Sequence, residues 1–107
     1  MSIDQTDRVD FIGVERASGD VVLTITDHLD WIEQPGEHLL LLQEKINTYL
    51  RFVESGELLE AYPDAKGRKV VISVVAQYPL SAEARGFLDR ARPVIEAAGF
   101  SLRHRVA

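Results

Sequence analysis

The sequence contains no cysteine and has one tryptophan and one methionine among its 107 residues. Without cysteine the chain can form no disulfide, no thiolate zinc site and no thiol nucleophile. Long apolar runs are also missing, because the longest cover residues 39–42 and 70–72, far short of the roughly 20 residues that a membrane-spanning helix needs. The polar, acidic N-terminus lacks the features of a signal peptide. We therefore expect a cytoplasmic protein with no membrane association.

Basic residues are in the minority. The chain has 12 Lys and Arg against 17 Asp and Glu, which gives a formal net charge of −5. Nonspecific nucleic-acid binding depends on Lys and Arg neutralising phosphates, so we expect no nucleic-acid partner. The hydrophobic content of 46% and charged content of 27% are typical of a globular protein. We expect a single domain over residues 1–107, with residues 1–7 frayed.

Period-two alternation of apolar residues predicts four strands. Residues 9–16 and 21–26 are joined by a turn-like segment in which Gly19 can adopt a positive φ, so they favour a β-hairpin. Residues 69–78 are apolar on both faces, which is typical of a central strand. Residues 100–106 alternate again and predict a final strand.

Two amphipathic stretches predict helices. The first follows Pro35-Gly36 and carries an apolar stripe through residues 39–53, with Lys45 on the opposite, polar side. Residues 57–62 add a helical turn, and residues 65–68 form an exposed loop. The second helix starts after the N-cap Ser81 and closes at Gly99, and Pro93 should kink or divide it.

The order of elements is therefore β-β-α-β-α-β. This order predicts an α+β fold, a two-layer α/β sandwich in which two helices cover one face of a four-stranded mixed sheet. The alternation and spacing leave the strand order open.

A loop between the hairpin and the first helix holds most of the side chains that could carry chemistry. They are Asp27, His28, Asp30, Trp31, Glu37 and His38. Divalent metal ions accept oxygen and imidazole ligands, and His28, Asp30 and His38 are the set we would assign to a metal. Their spacing matches neither the zinc motif H-E-x-x-H nor the twelve-residue calcium loop. We therefore expect no metal and no cofactor; Asp27 and Asp30 should cap turns, and both histidines should bond to backbone.

Acid–base chemistry is a second interpretation of the loop. Adjacent strand residues point to opposite faces, so Asp30 is a better partner for His28 than Asp27 is. Trp31 either anchors a partner or covers the core, and we favour the core position. The sequence has no nucleophile motif.

The motif T-D-H-L-x-W at residues 26–31, followed by E-H-L-x-L-L-Q-E-K-I-N-x-Y-L at residues 37–50, resembles a family of short bacterial proteins of unknown function. The resemblance continues through residues 52–58 and covers most of the chain. It implies no activity, ligand or catalytic residue.

Three hypotheses follow. The first is a non-enzymatic interaction or accessory module, of which an immunity-type protein is one form. It would form a homodimer through a sheet edge or helix face and could bind a further protein partner. The alternative is a metal-assisted or acid–base enzyme that uses His28, Asp30 and His38. A third hypothesis is a small-ligand pocket between the sheet and Trp31.

Overall fold

The computed structural model describes residues 3–107. It contains four strands, three α-helices and a short 3-10 helix. The elements are β1 (Phe11–Val14), β2 (Val21–Asp27), α1 (Pro35–Glu54), α2 (Glu57–Ala61), the 3-10 helix (Pro63–Ala65), β3 (Val70–Ala76), α3 (Ala82–Ala97) and β4 (Ser101–Val106). This order and its mixed sheet confirm the predicted α+β sandwich.

The strands lie in the sheet in the order β1-β2-β3-β4, which the sequence had left open. β1 and β2 form the expected antiparallel hairpin, and Gly19 in the connecting turn has a φ of 75°. β2 pairs in parallel with β3, and β3 pairs in parallel with β4. The central position of β3 explains why it is apolar on both faces.

The helices pack on one face of this sheet. Parallel neighbours joined through a helix form right-handed crossovers, so the two successive crossovers place α1 and α3 on the same side. The sheet face toward the helices carries Val21, Leu23, Ile25, Val70, Ile72 and Val74, each at most 8% exposed. Leu42, Ile46 and Tyr49 of α1 and Ala84, Leu88 and Ile95 of α3 complete the core.

Helix α1 begins earlier than the sequence indicated and buries one unexpected side chain. Pro35 occupies the first turn, where its missing N–H costs nothing. Lys45, predicted on the polar side, is 0% exposed. The prediction was wrong because residues 38, 42, 45 and 49 share one helical stripe, and an N-terminal segment supplies Lys45 with polar partners in the interior.

That N-terminal segment, residues 3–10, packs against β2 and α1. Residues 1–7 were expected to fray; residues 1 and 2 lie outside the described part of the chain, and residues 3–7 are anchored. Ile3 is 0% exposed, and its N–H donates to the carbonyl of Thr26. The hydroxyl of Thr48 donates to the carbonyl of Thr6. Backbone groups satisfied by α1 and β2 hold the segment in place.

Helix α3 begins and ends as expected but is not divided. The hydroxyl of Ser81 accepts the N–H of Ala84 at 3.1 Å, and Gly99 closes the helix with a φ of 94°. Pro93 lies inside the continuous helix; of the two outcomes expected there, division does not occur, and the kink stays a prediction. Its side chain is exposed, and water can solvate the carbonyl that lacks an N–H partner.

Two smaller observations complete the fold. Ala65, expected in an exposed loop, is 3% exposed and belongs to the core, because the 3-10 helix folds it inward. Within residues 3–107, no helix combines the length and the apolar character needed to cross a lipid bilayer.

Candidate functional site

The candidate loop connects the end of β2 to the start of α1. Asp27 is the last residue of β2 and shares its inward face with Val21, Leu23 and Ile25. His38 lies in the first turns of α1, on the stripe that continues through Leu42. The sheet and the helix therefore direct both side chains into the interior, where each residue is 2% exposed.

Asp27 and His38 form a buried pair. The Nε2 atom of His38 lies 2.7 Å from Oδ1 and 2.6 Å from Oδ2 of Asp27, and its Nδ1 atom lies 2.8 Å from the carbonyl oxygen of Asp30. A carbonyl oxygen only accepts, so Nδ1 carries a proton and donates it. With an ionised Asp27, Nε2 also donates, and the ring is an imidazolium in an ion pair.

Trp31 stacks on this pair. Its ring lies 3.5 Å from the ring of His38, centroid to centroid, at an interplanar angle of 15°. The indole is partly buried and packs against the core, as expected for a residue that covers it. The Nε1–H of Trp31 is shielded from solvent and finds no acceptor within residues 3–107. Packing and the aromatic contact therefore hold the indole in place.

Both aspartates also cap turns, as the sequence predicted. Oδ1 of Asp27 accepts the N–H of Leu29 at 3.1 Å, and Oδ1 of Asp30 accepts the N–H of Ile32 at 3.0 Å. These are Asx-type turns, in which a short carboxylate satisfies a backbone donor two residues along the chain. The side chain of Asp27 therefore fixes the start of the loop and the position of His38 at the same time.

The remaining candidate residues lie at the surface. His28 is exposed and has no hydrogen bond or ion pair in the described chain, whereas Glu37 is exposed in the first turn of α1, where its charge complements the helix dipole. The structure brings no three His, Asp or Glu side chains of residues 3–107 together in a group that could hold a metal ion. The assignment of His28, Asp30 and His38 to catalysis stays a prediction.

A small cleft of about 190 Å³ opens beside the pair. Its lining consists of Leu29, Asp30, Glu33, Gln34, Glu37, His38 and Leu41. Both ring nitrogens of His38 are occupied by protein acceptors. In this arrangement the imidazole has no free nitrogen with which to exchange a proton with a molecule in the cleft. The imidazole ring of His38 therefore fixes the loop against helix α1.

A second buried charge pair lies two turns further along α1. The Nζ atom of Lys45 lies 2.9 Å from Oδ2 of Asp10 and donates to the carbonyls of Gln5 at 2.5 Å and Arg8 at 2.7 Å. The hydroxyl of Tyr49 donates to the carbonyl of Thr24 at 2.7 Å and accepts the N–H of Asp10 at 3.1 Å. Burial raises the pKa of Tyr49 to about 12, because it disfavours the phenolate.

The periodicity of strands and helices already places the four side chains of the two pairs toward the interior. Asp27 has the strand parity of Ile25, and Asp10 has that of Ile12, so both carboxylates fall on an inward face. His38 and Lys45 lie seven residues apart, close to two helical turns, and share the buried stripe. A buried charge needs a partner, but only the folded chain shows which inward carboxylate meets which cation.

A model of a protein family of unknown function matches residues 1–107. The chain belongs to this family, DUF6572. No curated protein and no solved structure matched it. Membership agrees with the resemblance drawn from the sequence, and the bacterial source stays a prediction. In this DUF6572 chain, three residues from the motifs that carried the resemblance meet at one point: His38 contacts both Asp27 and Trp31.

Proposed function

We propose that this protein is a cytoplasmic, non-enzymatic protein-binding module that presents the loop of residues 27–38 to a basic partner. The proposal rests on one observation: Ile32, an apolar side chain that is 86% exposed, lies on a loop held at both ends by buried polar contacts. Aliphatic side chains are usually withdrawn from water when the chain can do so. Here the turn capped by Asp30 keeps Ile32 outside.

The loop is organised before any partner arrives. His38 bonds to Asp27 at the start of the loop and to the Asp30 carbonyl in its middle, and Trp31 stacks on the same ring. Ordering a flexible loop on binding costs conformational entropy, and a loop that is already fixed avoids much of that cost. The buried pair thus contributes to binding by holding Ile32 in one position.

The charge around Ile32 indicates the chemistry of the partner. Between Arg16 and Lys45 the sequence has no Lys or Arg. The exposed acids of the loop and of α1 before Lys45 are Asp30, Glu33, Glu37 and Glu44. An apolar residue in an acidic surround fits a pocket ringed by Lys or Arg, and the opposite charges speed the encounter and suppress wrong partners. A basic toxin would be the immunity-type form of this role.

Site-specific photo-crosslinking in cells of the source organism tests the proposal. A photoreactive amino acid at position 32 should capture a basic protein other than this chain. The matched control carries the same probe at Val94, which is apolar and 67% exposed on α3, and it should not capture that protein. The charge reversal Glu33→Lys with Glu37→Lys should abolish capture at position 32, because the acidic surround is lost.

Each result has a clear meaning. Capture of the same proteins at positions 32 and 94, or no capture at 32, overturns the proposal. Capture at 32 that survives the charge reversal removes the basic-partner part of it. Capture of a second copy of this chain at 32 would show that the loop mediates self-association instead.

A further inference from the structure

Another cavity, of about 220 Å³, lies between the carboxyl end of β4 and the first turn of α3. Its lining consists of Pro79, Leu80, Arg85, His104 and Val106, and we call it the β4 cavity. Residues 79–85 connect β3 to α3, whereas residues 104–106 end β4. The β4 cavity shares no lining residue with the cleft beside His38, so the two are separate features of the surface.

Apolar side chains form the base and one wall of the β4 cavity. Leu80 is 7% exposed and belongs to the hydrophobic core, so it is a fixed base. Val106 is 47% exposed. It has the strand parity of His104 and Leu102, and these three residues pair with the inward side of β3. An apolar group in the cavity would therefore remove exposed aliphatic surface from water.

Two basic side chains also line the β4 cavity, and neither has a partner. The side chains of Arg85 and His104 form no hydrogen bond or ion pair with any residue of the described chain. No Asp or Glu of residues 3–107 lines the cavity, although the sequence has 17 acids against 12 Lys and Arg. The cavity thus presents a guanidinium and an imidazole with no protein acceptor for their N–H groups.

The acid one helical turn beyond Arg85 is already paired. Asp89 has the spacing at which helical side chains meet, but its Oδ1 accepts Nη1 of Arg92 at 2.9 Å. Nε of Arg92 also donates to the carbonyl of Leu102 on β4 at 3.4 Å. Glu83 is two residues from Arg85 and does not face it. The guanidinium of Arg85 is therefore left free beside the cavity.

We propose that the β4 cavity binds a small free monocarboxylate with a short apolar body. The planar guanidinium of Arg85 offers two parallel N–H donors to the two carboxylate oxygens, and an N–H of His104 supplies a further donor. The apolar body covers Leu80 and Val106. A volume of about 220 Å³ has room for roughly seven water molecules at about 30 Å³ each, so the ligand is of the size of isovalerate. The inference uses no residue of the loop 27–38 and stands independently of the proposed function.

Titration with isovalerate at constant ionic strength, followed by amide NMR of the unmodified chain, tests the proposal. A ligand of so few atoms should bind with a Kd of about 1 mM, and the signals of Leu80, Arg85 and Val106 should shift and saturate. Isovaleramide is the matched control compound, because it has the same apolar body without the charge, and it should bind at least about tenfold more weakly. The absence of a saturable shift at about 20 mM isovalerate, or equal binding of isovaleramide, overturns the proposal.

Two variants test the role of Arg85. Arg85→Gln should weaken the binding of isovalerate at least about tenfold, because the charged donors are lost. Arg90→Gln is the matched control, since Arg90 is an exposed arginine of the same helix that does not line the cavity, and it should leave binding unchanged. Equal effects of the two variants overturn the assignment to Arg85.

A second compound distinguishes a free acid from the carboxyl end of a peptide, which has the same chemistry. N-acetylvaline represents such a peptide end and is larger than isovalerate. Because the cavity is small, we expect N-acetylvaline to bind more weakly than isovalerate. Tighter binding of N-acetylvaline would overturn the assignment to a free acid.

Discussion

Two buried charge pairs lie on the same stripe of helix α1, and they hold different parts of the chain. His38 takes its carboxylate from Asp27 at the end of a strand, so that pair joins two regular elements. Lys45 takes its carboxylate from Asp10 and also satisfies two carbonyls of an irregular segment. The first pair fixes a loop beside a cleft, and the second fixes the N-terminal segment to the core.

The two pairs also differ in what remains when the cation is lost. Asp27 keeps a hydrogen bond from the N–H of Leu29 and lies at the margin of the sheet. Asp10, whose side chain is 1% exposed, would keep a buried charge without its ammonium, and two carbonyls would lose a donor. Removing one partner of a buried ion pair leaves an uncompensated charge, which costs more than the intact pair contributes. Asp10 has fewer remaining partners than Asp27, so the pair of Lys45 and Asp10 should be the more sensitive to loss of its cation.

The largest effect is therefore expected for Lys45→Met. We expect the free energy of unfolding to fall by about 3–5 kcal/mol, as when one partner of a buried ion pair is removed. Urea unfolding at neutral pH measures this loss. The double variant Lys45→Met with Asp10→Asn should recover part of it, because no buried charge is then left alone. A single-variant loss below about 1 kcal/mol, the level of a surface pair, would contradict the buried pairing.

His38→Leu should cost less, about 2–4 kcal/mol, and should act on the loop. Trp31 is the only tryptophan, so its fluorescence reports the loop directly. Without the imidazole beneath it, the indole should become more exposed and its emission should shift to longer wavelength. Lys45→Met should leave the emission of the folded protein unchanged. If both variants shift the emission equally, the two pairs do not act on separate segments.

Tyr49→Phe should remove about 1–2 kcal/mol, because the Thr24 carbonyl and the Asp10 N–H lose a buried partner. The raised pKa of Tyr49, about 12 against an ordinary 10.0, also sets a pH window. The buried neutral phenol contributes its full stability below pH 10.0 and loses it as pH rises toward about 12. Tyrosinate absorbance should show a step near pH 12 that is missing in Tyr49→Phe; an unchanged titration would contradict the burial of the hydroxyl.

The smallest effect is expected for the exposed pair of Glu15 and Arg103. Hydrogen bonds from Arg103 and then Ser18 lower the pKa of Glu15. The carboxylate thus contributes stability above its unfolded-state pKa, and this contribution is lost as pH falls through the lower folded-state pKa. The difference in unfolding free energy between wild type and Glu15→Gln should be small at pH 7 and vanish in acid. A difference that grows in acid would contradict the sign.

Much of the fold could be predicted from local pattern. Residues that are near one another in sequence produce the apolar alternation of the four strands and the apolar stripe of α1. The N-cap of α3 at Ser81 and its closure at Gly99 are local in the same way. The prediction failed at Lys45, where tertiary surroundings override local preference, and Pro93 does not divide its helix. An ammonium can be buried when carbonyls from a distant segment surround it, and a proline can remain in a helix when its free carbonyl faces water.

In the candidate site, too, the local contacts could be predicted from the sequence and the long-range contact could not. The caps by Asp27 and Asp30 are local hydrogen bonds, and the sequence indicated them. The pairing of Asp27 with His38 was missed, since Asp30 was chosen as the better carboxylate and His28 as the imidazole. Strand parity and helical periodicity place both side chains toward the interior. Their contact requires the end of β2 to lie beside the first turns of α1.

The sequence by itself determined the elements, their order and which face of each is apolar, because these follow from side-chain periodicity along a single strand or helix. Tertiary structure alone decided the strand order, the partners of the buried charges and the exposure of Ile32. Each of these depends on contacts between residues far apart in the chain. A charge or an apolar side chain becomes buried, paired or exposed only when distant elements pack around it.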